Sequence, residues 1–301
     1  MKKLFIATSS FGQYDQRPLE LLKKLKIKYT LNPLSRKLSK TELIEHAQEY
    51  DHILAGTEKY DENVFLNLPK LKYIFRLGAG IDNINITIAK QKKIKVTSSK
   101  ITPEKAVAEL VVGMILTLLR KINAQDQNLK RNIWKKEMGF LLHKKTVGII
   151  GYGKIGKYLK KILRGFGVNV IVHDIKKIKL IKNYSLKYLI SQSDIVTVHA
   201  NYTKTNKKLL NSKILNKLKK NSVLINTSRA EIIDYEYLYK LLKNKKILGA
   251  ALDVFEKEPY QGKFQKLNNV ILTPHIGSYA REIRSEMELE AAKVISKIIL
   301  K

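Results

Sequence analysis

Residues 146–156 read TVGIIGYGKIG, and this stretch identifies the main fold of the 301-residue chain. It joins an apolar strand pattern to the motif G-x-G-x-x-G, with glycines at 151, 153 and 156. The first glycine permits a tight turn, the second lets a pyrophosphate approach the backbone, and the third allows close helix–strand packing. Together with the amphipathic segment Lys157–Phe166, this pattern predicts a dinucleotide-binding Rossmann unit.

An aspartate ends the next strand pattern, VNVIVHD, at a position suited to binding the adenosine ribose. Asp174 lies 18 residues after Gly156, and its carboxylate is expected to accept hydrogen bonds from the ribose hydroxyls. Because the same charge would repel a 2′-phosphate, the sequence predicts NAD in preference to NADP. Lys176 and Lys177 lie close by and leave some use of NADP open.

Short β-branched runs alternate with amphipathic segments along the chain, as in parallel α/β sheets. The strand patterns are Leu4–Ala7, Ile27–Leu31, His52–Ala55, Tyr73–Arg76, Lys95–Ser98, Thr146–Ile150, Asn169–His173, Asp194–His199, Ser222–Asn226, Ile247–Leu252 and Asn269–Thr273. Because these are too many strands for one ordinary open sheet, the sequence predicts two doubly wound parallel-sheet domains. One is a flavodoxin-like substrate domain and the other is the Rossmann NAD-binding domain.

Helical patterns set the predicted domain boundaries. A long apolar helix, roughly Pro103–Asn123, lies between the two series of strands, and a final helix, Arg281–Leu300, is expected to return to the first domain. The predicted domains are residues 1–100 with 281–301 for the substrate and residues 101–280 for NAD. Since the chain ends soon after the final helix, no C-terminal regulatory domain is expected.

The composition argues against several kinds of protein. Without cysteine there are no disulfides, thiolate metal sites or cysteine nucleophiles, and a cytoplasmic location is expected. The six histidines show no metal-ligand spacing, so we predict no metal. The longest apolar run, Leu110–Leu119, is shorter than the about 20 residues of a membrane-spanning helix, and no membrane association is predicted.

The formal net charge of +32 does not by itself indicate a nucleic-acid-binding protein. Only nine of the 58 basic residues are arginine, and the lysines are spread along the whole chain. The densest clusters, at 176–182, 217–220 and 243–246, contain no aromatic residue for base stacking. We therefore predict no dedicated nucleic-acid site, and expect the charge to attract anionic ligands at long range.

Several ordered motifs resemble the D-isomer-specific 2-hydroxyacid dehydrogenase family over nearly the whole chain. They are RLGAGIDN at 76–83, VAE at 107–109, Trp134, NTSRA at 226–230, AALDVFEKEP at 250–259 and TPHIGS at 273–278. The resemblance implies an oxidoreductase that transfers a hydride between NAD(H) and a small D-2-hydroxy acid or its 2-keto partner. The segment GTEKYD at 56–61 resembles members acting on 3-phosphoglycerate or hydroxypyruvate, and glyoxylate is a further expected substrate. The family also implies a homodimer, with the helix 104–122 as a plausible contact.

The resemblance assigns roles to individual residues. Arg229 would bind the substrate carboxylate and carbonyl, His275 would be the acid/base catalyst, and Glu258 would be its partner. The backbone N–H groups of Ala79 and Gly80 would lie near the substrate carboxylate. Asp253 would face the nicotinamide carboxamide. The full set of expected cofactor contacts is Gly151, Gly153, Lys154, Ile155, Gly156, Asp174, Ala200, Thr227, Ser228, Asp253, Gly277 and Ser278.

The chemistry of hydride transfer requires these types of residue. An alcohol loses its hydroxyl proton when it is oxidised, and histidine exchanges protons near neutral pH. A neighbouring carboxylate fixes the histidine tautomer, and arginine binds a substrate carboxylate through two parallel hydrogen bonds. Arg229, Glu258 and His275 follow three consecutive strand patterns, as such a site requires. Glu256 is a nearby competitor, although the spacing of 29 residues from Arg229 favours Glu258.

Other interpretations stay open at this stage. The chain could be an NAD(H)-sensing regulatory or corepressor-like protein on the same fold, while Glu258 disfavours a formate dehydrogenase, which typically has glutamine there. His199 ends a strand pattern and could contact the cofactor. Ala230 and Asn201 stand where the family usually has glycine and proline, and these departures affect the nicotinamide pocket rather than the reacting charges.

Overall fold

The computed structural model describes residues 2–78, 80–179 and 181–300. The chain divides into two compact units, Met1–Pro103 with Tyr279–Lys301, and Glu104–Ser278. These limits lie two or three residues from the domain boundaries that the sequence predicts. In the described part of the chain, every helix is too short or too polar to cross a bilayer.

Eleven strands and eleven α-helices occur in the described residues. The strands are β1 (Leu4–Ile6), β2 (Tyr29–Leu31), β3 (His52–Ala55), β4 (Tyr73–Arg76), β5 (Lys95–Ser98), β6 (Thr146–Ile150), β7 (Asn169–His173), β8 (Ile195–Val198), β9 (Val223–Asn226), β10 (Gly249–Leu252) and β11 (Val270–Leu272). The helices are α1 (Arg17–Lys24), α2 (Lys40–Ala47), α3 (Glu62–Leu66), α4 (Ile86–Gln91), α5 (Glu104–Arg120), α6 (Ile122–Lys130), α7 (Lys154–Leu163), α8 (Leu186–Gln192), α9 (Ser212–Leu215), α10 (Tyr235–Lys243) and α11 (Arg281–Ile299).

The first unit is built on a parallel sheet of order β2-β1-β3-β4-β5, the flavodoxin-like order. Both faces of this sheet are covered, so every residue of its central strands β1, β3 and β4 is buried. Phe5 packs with α2, α3 and α4 on one face, while Leu4 and Ile6 pack with α1 and α11 on the other. Each such fully buried side chain contributes about 1.5–3 kcal/mol to folding.

The second unit is built on a parallel sheet of order β11-β10-β9-β8-β6-β7. Val223 and Ile225 of β9 face a core with α5 and α7, and Leu224 faces a core with α8 and α10. Beside β7, where a Rossmann sheet commonly has one more strand, the described residues form an isolated bridge between Val172 and Asn183. The predicted fold class, two parallel-sheet α/β domains, is confirmed.

Two predicted helices differ from the observed ones. The long helix expected over Pro103–Asn123 begins at Glu104 and ends at Arg120, because Lys121 has a left-handed backbone with φ of 52°. A separate helix, α6, which the sequence did not predict, follows it. Helix α7 begins three residues before the predicted Lys157, since Gly153 is its N-cap.

Candidate active site

The glycine turn between β6 and α7 has the shape that a pyrophosphate requires. Gly151 has φ of +91°, and a Cβ there would lie 2.5 Å from the backbone nitrogen of Ala200. At Gly156 a Cβ would lie 2.5 Å from the carbonyl oxygen of Gly151. A Cβ on Gly153, by contrast, would meet nothing within 4 Å. Gly151 and Gly156 are therefore fixed by packing, whereas Gly153 faces open space beside the helix.

The N-terminus of α7 is open to an anion. Its N-cap, Gly153, has no side chain to accept hydrogen bonds from the first backbone N–H groups. Lys154 is exposed and Ile155 is half-buried at this end of the helix. The positive end of the helix dipole makes such a terminus suitable for phosphate groups.

Asp174 lies beside this turn at the end of β7. Its Oδ2 accepts a hydrogen bond from the backbone N–H of Tyr152 at 2.7 Å, and its Oδ1 accepts one from Lys176 N–H at 2.9 Å. The side chains of Lys176 and Lys177 are exposed. A carboxylate fixed next to the glycine turn is suited to the ribose hydroxyls of a dinucleotide.

Two buried polar atoms lie at the ends of the adjacent strands β8 and β9. Thr227 Oγ1 and His199 Nδ1 have no hydrogen-bond partner among the described residues. Burial lowers the pKa of His199 to about 3, so its ring is neutral, and Nε2 lies 2.8 Å from Thr197 Oγ1. Buried polar groups normally have hydrogen-bond partners, so these two atoms fit a polar ligand bound at this edge of the sheet. The glycine turn lies at the same edge. The residues present therefore fit an NAD molecule.

The sheet order brings three catalytic candidates to one edge. Strands β9, β10 and β11 are adjacent and parallel, and Arg229, Glu258 and His275 follow their carboxyl ends in that order. The imidazole Nδ1 of His275 lies 3.1 Å from Oε1 and 3.2 Å from Oε2 of Glu258. The described residues hydrogen-bond the ring through Nδ1 and not through Nε2, which leaves Nε2 able to exchange a proton. The side chain of His275 is 30% exposed and that of Glu258 is 17% exposed.

The backbone of His275 is held in an uncommon conformation. Its φ is +58°, in the left-handed region that non-glycine residues seldom adopt. The carboxylate of Asp253, which is fully buried, accepts hydrogen bonds from the next two backbone N–H groups, those of Ile276 at 2.8 Å and Gly277 at 2.9 Å. Thr273 Oγ1 donates to the same carboxylate at 2.6 Å. Asp253 thus fixes the turn that carries His275, and its expected contact with the nicotinamide carboxamide stays a prediction.

Asn226, which the sequence did not single out, organises the turn that carries Arg229. Its Oδ1 accepts hydrogen bonds from the backbone N–H and the hydroxyl of Ser228, at 3.1 and 3.0 Å. Its Nδ2 donates to the carbonyl oxygen of Arg229 at 3.0 Å. Arg229 is half-buried, and its Nη1 donates to the Ser228 carbonyl at 2.7 Å. A strand-ending asparagine before this arginine was the only sequence signal for that role.

The remaining predicted residues are distributed over both units. Ala200 and Ser278 are half-buried in the second unit. Ala230 is buried, so the alanine that replaces the usual glycine is accommodated in the apolar core. Gly80 follows β4 in the first unit and is half-buried, whereas Ala79 lies outside the described residues.

The chain matches a family model and many known proteins. Residues 112–277 match the model described as "D-isomer specific 2-hydroxyacid dehydrogenase, NAD binding domain". Glyoxylate reductase of Thermococcus litoralis is 36% identical over 272 residues, which cover 84% of this chain and 82% of that protein. Hydroxypyruvate reductase of Thermotoga maritima is 33% identical over 293 residues, which cover 94% and 96%.

The fold agrees with that of a solved relative. The crystal structure of D-lactate dehydrogenase from Aquifex aeolicus, complexed with NAD and lactic acid, superposes with a TM-score of 0.84 at 26% identity. The superposed region covers 99% of this chain and 95% of the D-lactate dehydrogenase chain. These relatives are enzymes, which favours an oxidoreductase over a dinucleotide-sensing regulator. The chain therefore belongs to the D-isomer specific 2-hydroxyacid dehydrogenase family and is an NAD-dependent oxidoreductase.

Proposed function

We propose that this enzyme interconverts a small D-2-hydroxy acid and its 2-keto acid at the carboxyl edge of the second sheet. The observation that carries the proposal is the contact of His275 Nδ1 with both carboxylate oxygens of Glu258. It fixes the tautomer and orientation of the imidazole and directs its remaining nitrogen to proton exchange. Glyoxylate and hydroxypyruvate are the proposed 2-keto acids, supported by the names of the two relatives, and the 3-phosphoglycerate pair is a further candidate.

Each catalytic side chain has a proposed task in the reduction. Bound NADH supplies the hydride that reduces the carbonyl carbon. His275 donates a proton from Nε2 to the carbonyl oxygen and regains one from water after the product leaves. The carboxylate of Glu258 stabilises the imidazolium before the transfer. The guanidinium of Arg229 would bind the substrate carboxylate.

The proposed cofactor site is the edge formed by the glycine turn and the ends of β7, β8 and β9. The N-terminus of α7, at Gly153, Lys154 and Ile155, would hold the pyrophosphate. The carboxylate of Asp174 would bind the adenosine ribose. The nicotinamide ribose would lie next to Ala200, Thr227 and Ser228. The buried Oγ1 of Thr227, which has no hydrogen-bond partner among the described residues, supports this position.

A panel of 2-keto acids with NADH tests this function. We expect turnover of at least one of glyoxylate, hydroxypyruvate and 3-phosphohydroxypyruvate. His275→Asn should lower kcat at least about a hundredfold with an unchanged Kd for NADH, since it removes the proton donor. Asparagine is preferred to alanine because it tolerates the positive φ of this position.

The control for that variant is His143→Asn, at an exposed histidine of the same unit. It should retain the wild-type kcat. A wild-type protein without turnover of any acid would reject the catalytic proposal, and a fully active His275→Asn variant would reject the role of the imidazole.

We further propose a homodimer that uses the segment 122–141. Trp134, Met138 and Leu141 are 83%, 88% and 68% exposed, and α6 has no buried residue. Large exposed apolar patches mark protein interfaces. Helix α5, the contact suggested by the sequence, has seven buried residues, and six of them lie in the core of its own unit.

The division of labour between the units and the cellular location are also proposals. Residues 1–100 with 281–301 would bind the substrate, and residues 101–280 would bind NAD. The absence of cysteine supports a cytoplasmic location.

A further inference from the structure

The side chain of Tyr235, the first residue of α10, lies in the interior of the second unit. It is 8% exposed, and its ring packs edge-on against Phe264 with a centroid distance of 5.6 Å. The hydroxyl accepts a hydrogen bond from Asn226 Nδ2 at 3.0 Å and donates one to the carbonyl oxygen of Val254 at 2.9 Å. Burial raises the pKa of the Tyr235 phenol, so that the hydroxyl keeps its proton as a donor.

One side of this hydroxyl leads to Arg229. The same Asn226 Nδ2 that donates to Tyr235 also donates to the Arg229 carbonyl oxygen, and Asn226 Oδ1 accepts two hydrogen bonds from Ser228. The orientation of the Asn226 amide therefore sets the turn from which the Arg229 side chain extends. Tyr235 fixes that orientation.

The other side of the hydroxyl leads to Glu258 and His275. Val254 is followed by Phe255, whose backbone N–H donates to Glu258 Oε1 at 3.2 Å. The same oxygen lies 3.1 Å from His275 Nδ1. The backbone at 254–255 is thus held by Tyr235 and in turn holds the carboxylate that orients the imidazole.

The Tyr235 hydroxyl lies where the hydrogen-bond ladder between β9 and β10 ends. The ladder between β9 and β10 ends at the pair Asn226 and Leu252, followed by one hydrogen bond from Asp253 N–H to the Asn226 carbonyl. Beyond that point the two strands continue into separate loops. The Tyr235 hydroxyl connects these two loops beyond the last hydrogen bond of the β9–β10 ladder.

We propose that Tyr235 is a positioning residue whose hydroxyl joins the Arg229 turn to the segment that holds Glu258. The inference rests on the proposed roles of Arg229, Glu258 and His275. Tyr235 makes no contact with reacting atoms in this role and acts through Asn226 and Val254. Without its hydroxyl, the arginine turn and the glutamate segment would move independently, and small displacements of catalytic groups are costly to rate.

The test compares Tyr235→Phe with Tyr237→Phe in the full-length protein. Tyr237 lies on the same helix, and its hydroxyl bonds to the side chain of Asn216 at the surface. For Tyr235→Phe we expect roughly tenfold lower kcat/KM for glyoxylate or hydroxypyruvate, with a fall in kcat and a rise in KM. The Kd for NADH should change much less, and Tyr237→Phe should match the wild type. Loss of stability alone would lower the active fraction and would leave KM unchanged.

Hydrogen–deuterium exchange supplies a readout that does not need turnover. Amides in both 226–233 and 253–259 should exchange faster in Tyr235→Phe and at the wild-type rate in Tyr237→Phe. Unchanged exchange in either segment would overturn the proposed link, whether or not the enzyme turns over. Faster exchange in both segments with unchanged kcat and KM would overturn the positioning role. If the wild type turned over none of the 2-keto acids, the proposed function would fail, and the exchange measurement would still decide the link.

Discussion

The carboxylate of Asp174 accepts a hydrogen bond from the backbone N–H of Tyr152 at 2.7 Å, which joins the end of β7 to the glycine turn after β6. The two segments are 22 residues apart in sequence. The acidic group is therefore fixed beside the turn before any ligand binds, and its charge lies at the edge where a ribose is expected.

Replacing Asp174 by alanine should weaken NADH far more than NADPH. For NADH, the variant loses the hydrogen bonds from the ribose to a charged acceptor, which should cost about 1.5–3 kcal/mol of binding free energy. For NADPH, it also removes the repulsion between the carboxylate and the 2′-phosphate, which offsets that loss. Fluorescence titration with both nucleotides measures the two Kd values. Glu49→Ala, which removes a surface carboxylate paired with Lys70 in the first unit, is the control. Equal weakening of NADH and NADPH would contradict the ribose assignment.

Two glycines of one turn should respond differently to alanine. Gly153→Ala should fold with wild-type stability, because its Cβ meets nothing within 4 Å, yet bind NADH at least about tenfold more weakly by filling the space for the pyrophosphate. Gly151→Ala should lose stability by about 1 kcal/mol or more, since its φ is +91° and its Cβ would clash with Ala200. Urea unfolding and NADH titration distinguish the two effects. Full NADH affinity in Gly153→Ala would rule out this turn as the pyrophosphate site.

Asp253→Asn should lower kcat through the His275 turn. The asparagine side chain has one acceptor oxygen and one N–H₂ donor, so it can no longer accept hydrogen bonds from both Ile276 N–H and Gly277 N–H. The lost hydrogen bond should destabilise the turn by about 1–3 kcal/mol. We expect kcat to fall with little change in the Kd for NADH. The control is Asp194→Asn, whose carboxylate accepts from Thr146 N–H at the opposite edge of the sheet. If NADH affinity fell by as large a factor as kcat, the main role of Asp253 would be contact with the nicotinamide and not support of the His275 turn.

His199 should make the folded protein sensitive to mild acid. Burial lowers its pKa in the folded state to about 3, below the unfolded value of 6.5, so between these values only the unfolded chain binds the proton. Stability is therefore lost as the pH falls through 6.5, by about 1.4 kcal/mol between pH 7.5 and 5.5. His199→Gln should remove this share of the pH dependence, while the exposed control His143→Gln should not. Urea unfolding at the two pH values measures it, and identical pH dependence in the wild type and His199→Gln would refute the assignment.

The exposed apolar side chains of the segment 122–141 predict the oligomeric state. We expect the wild type to sediment as a dimer and Trp134→Ser to shift toward monomer, because its indole is 83% exposed in the single chain. Tyr14→Ser, at a 53% exposed residue of the first unit, should remain dimeric. A monomeric wild type at micromolar concentration would dispose of the proposed interface.

The sequence determined those features that depend on local pattern. Short runs rich in β-branched and apolar residues predicted all eleven strands, because the central strands of a parallel sheet are buried on both faces. The glycines at 151, 153 and 156 predicted the turn, because Gly151 and Gly156 have no room for a Cβ and Gly153 leaves open space for a ligand. Parallel strands carry their carboxyl ends to one edge, so Arg229, Glu258 and His275 were predictable as neighbours from their places after consecutive strands.

Only the tertiary structure decided how those residues are held. The link through Tyr235, the turn held by Asp253 and the neutral state of His199 depend on side-chain hydrogen bonds and burial. Their partners lie up to 24 residues apart, with no periodic spacing in the sequence. The end of α5 at Arg120 likewise depends on the left-handed backbone of Lys121, which the apolar pattern of the sequence does not reveal. Hydrophobic periodicity reports which face of an element is buried, whereas the direction of a hydrogen bond is set only when the loops pack.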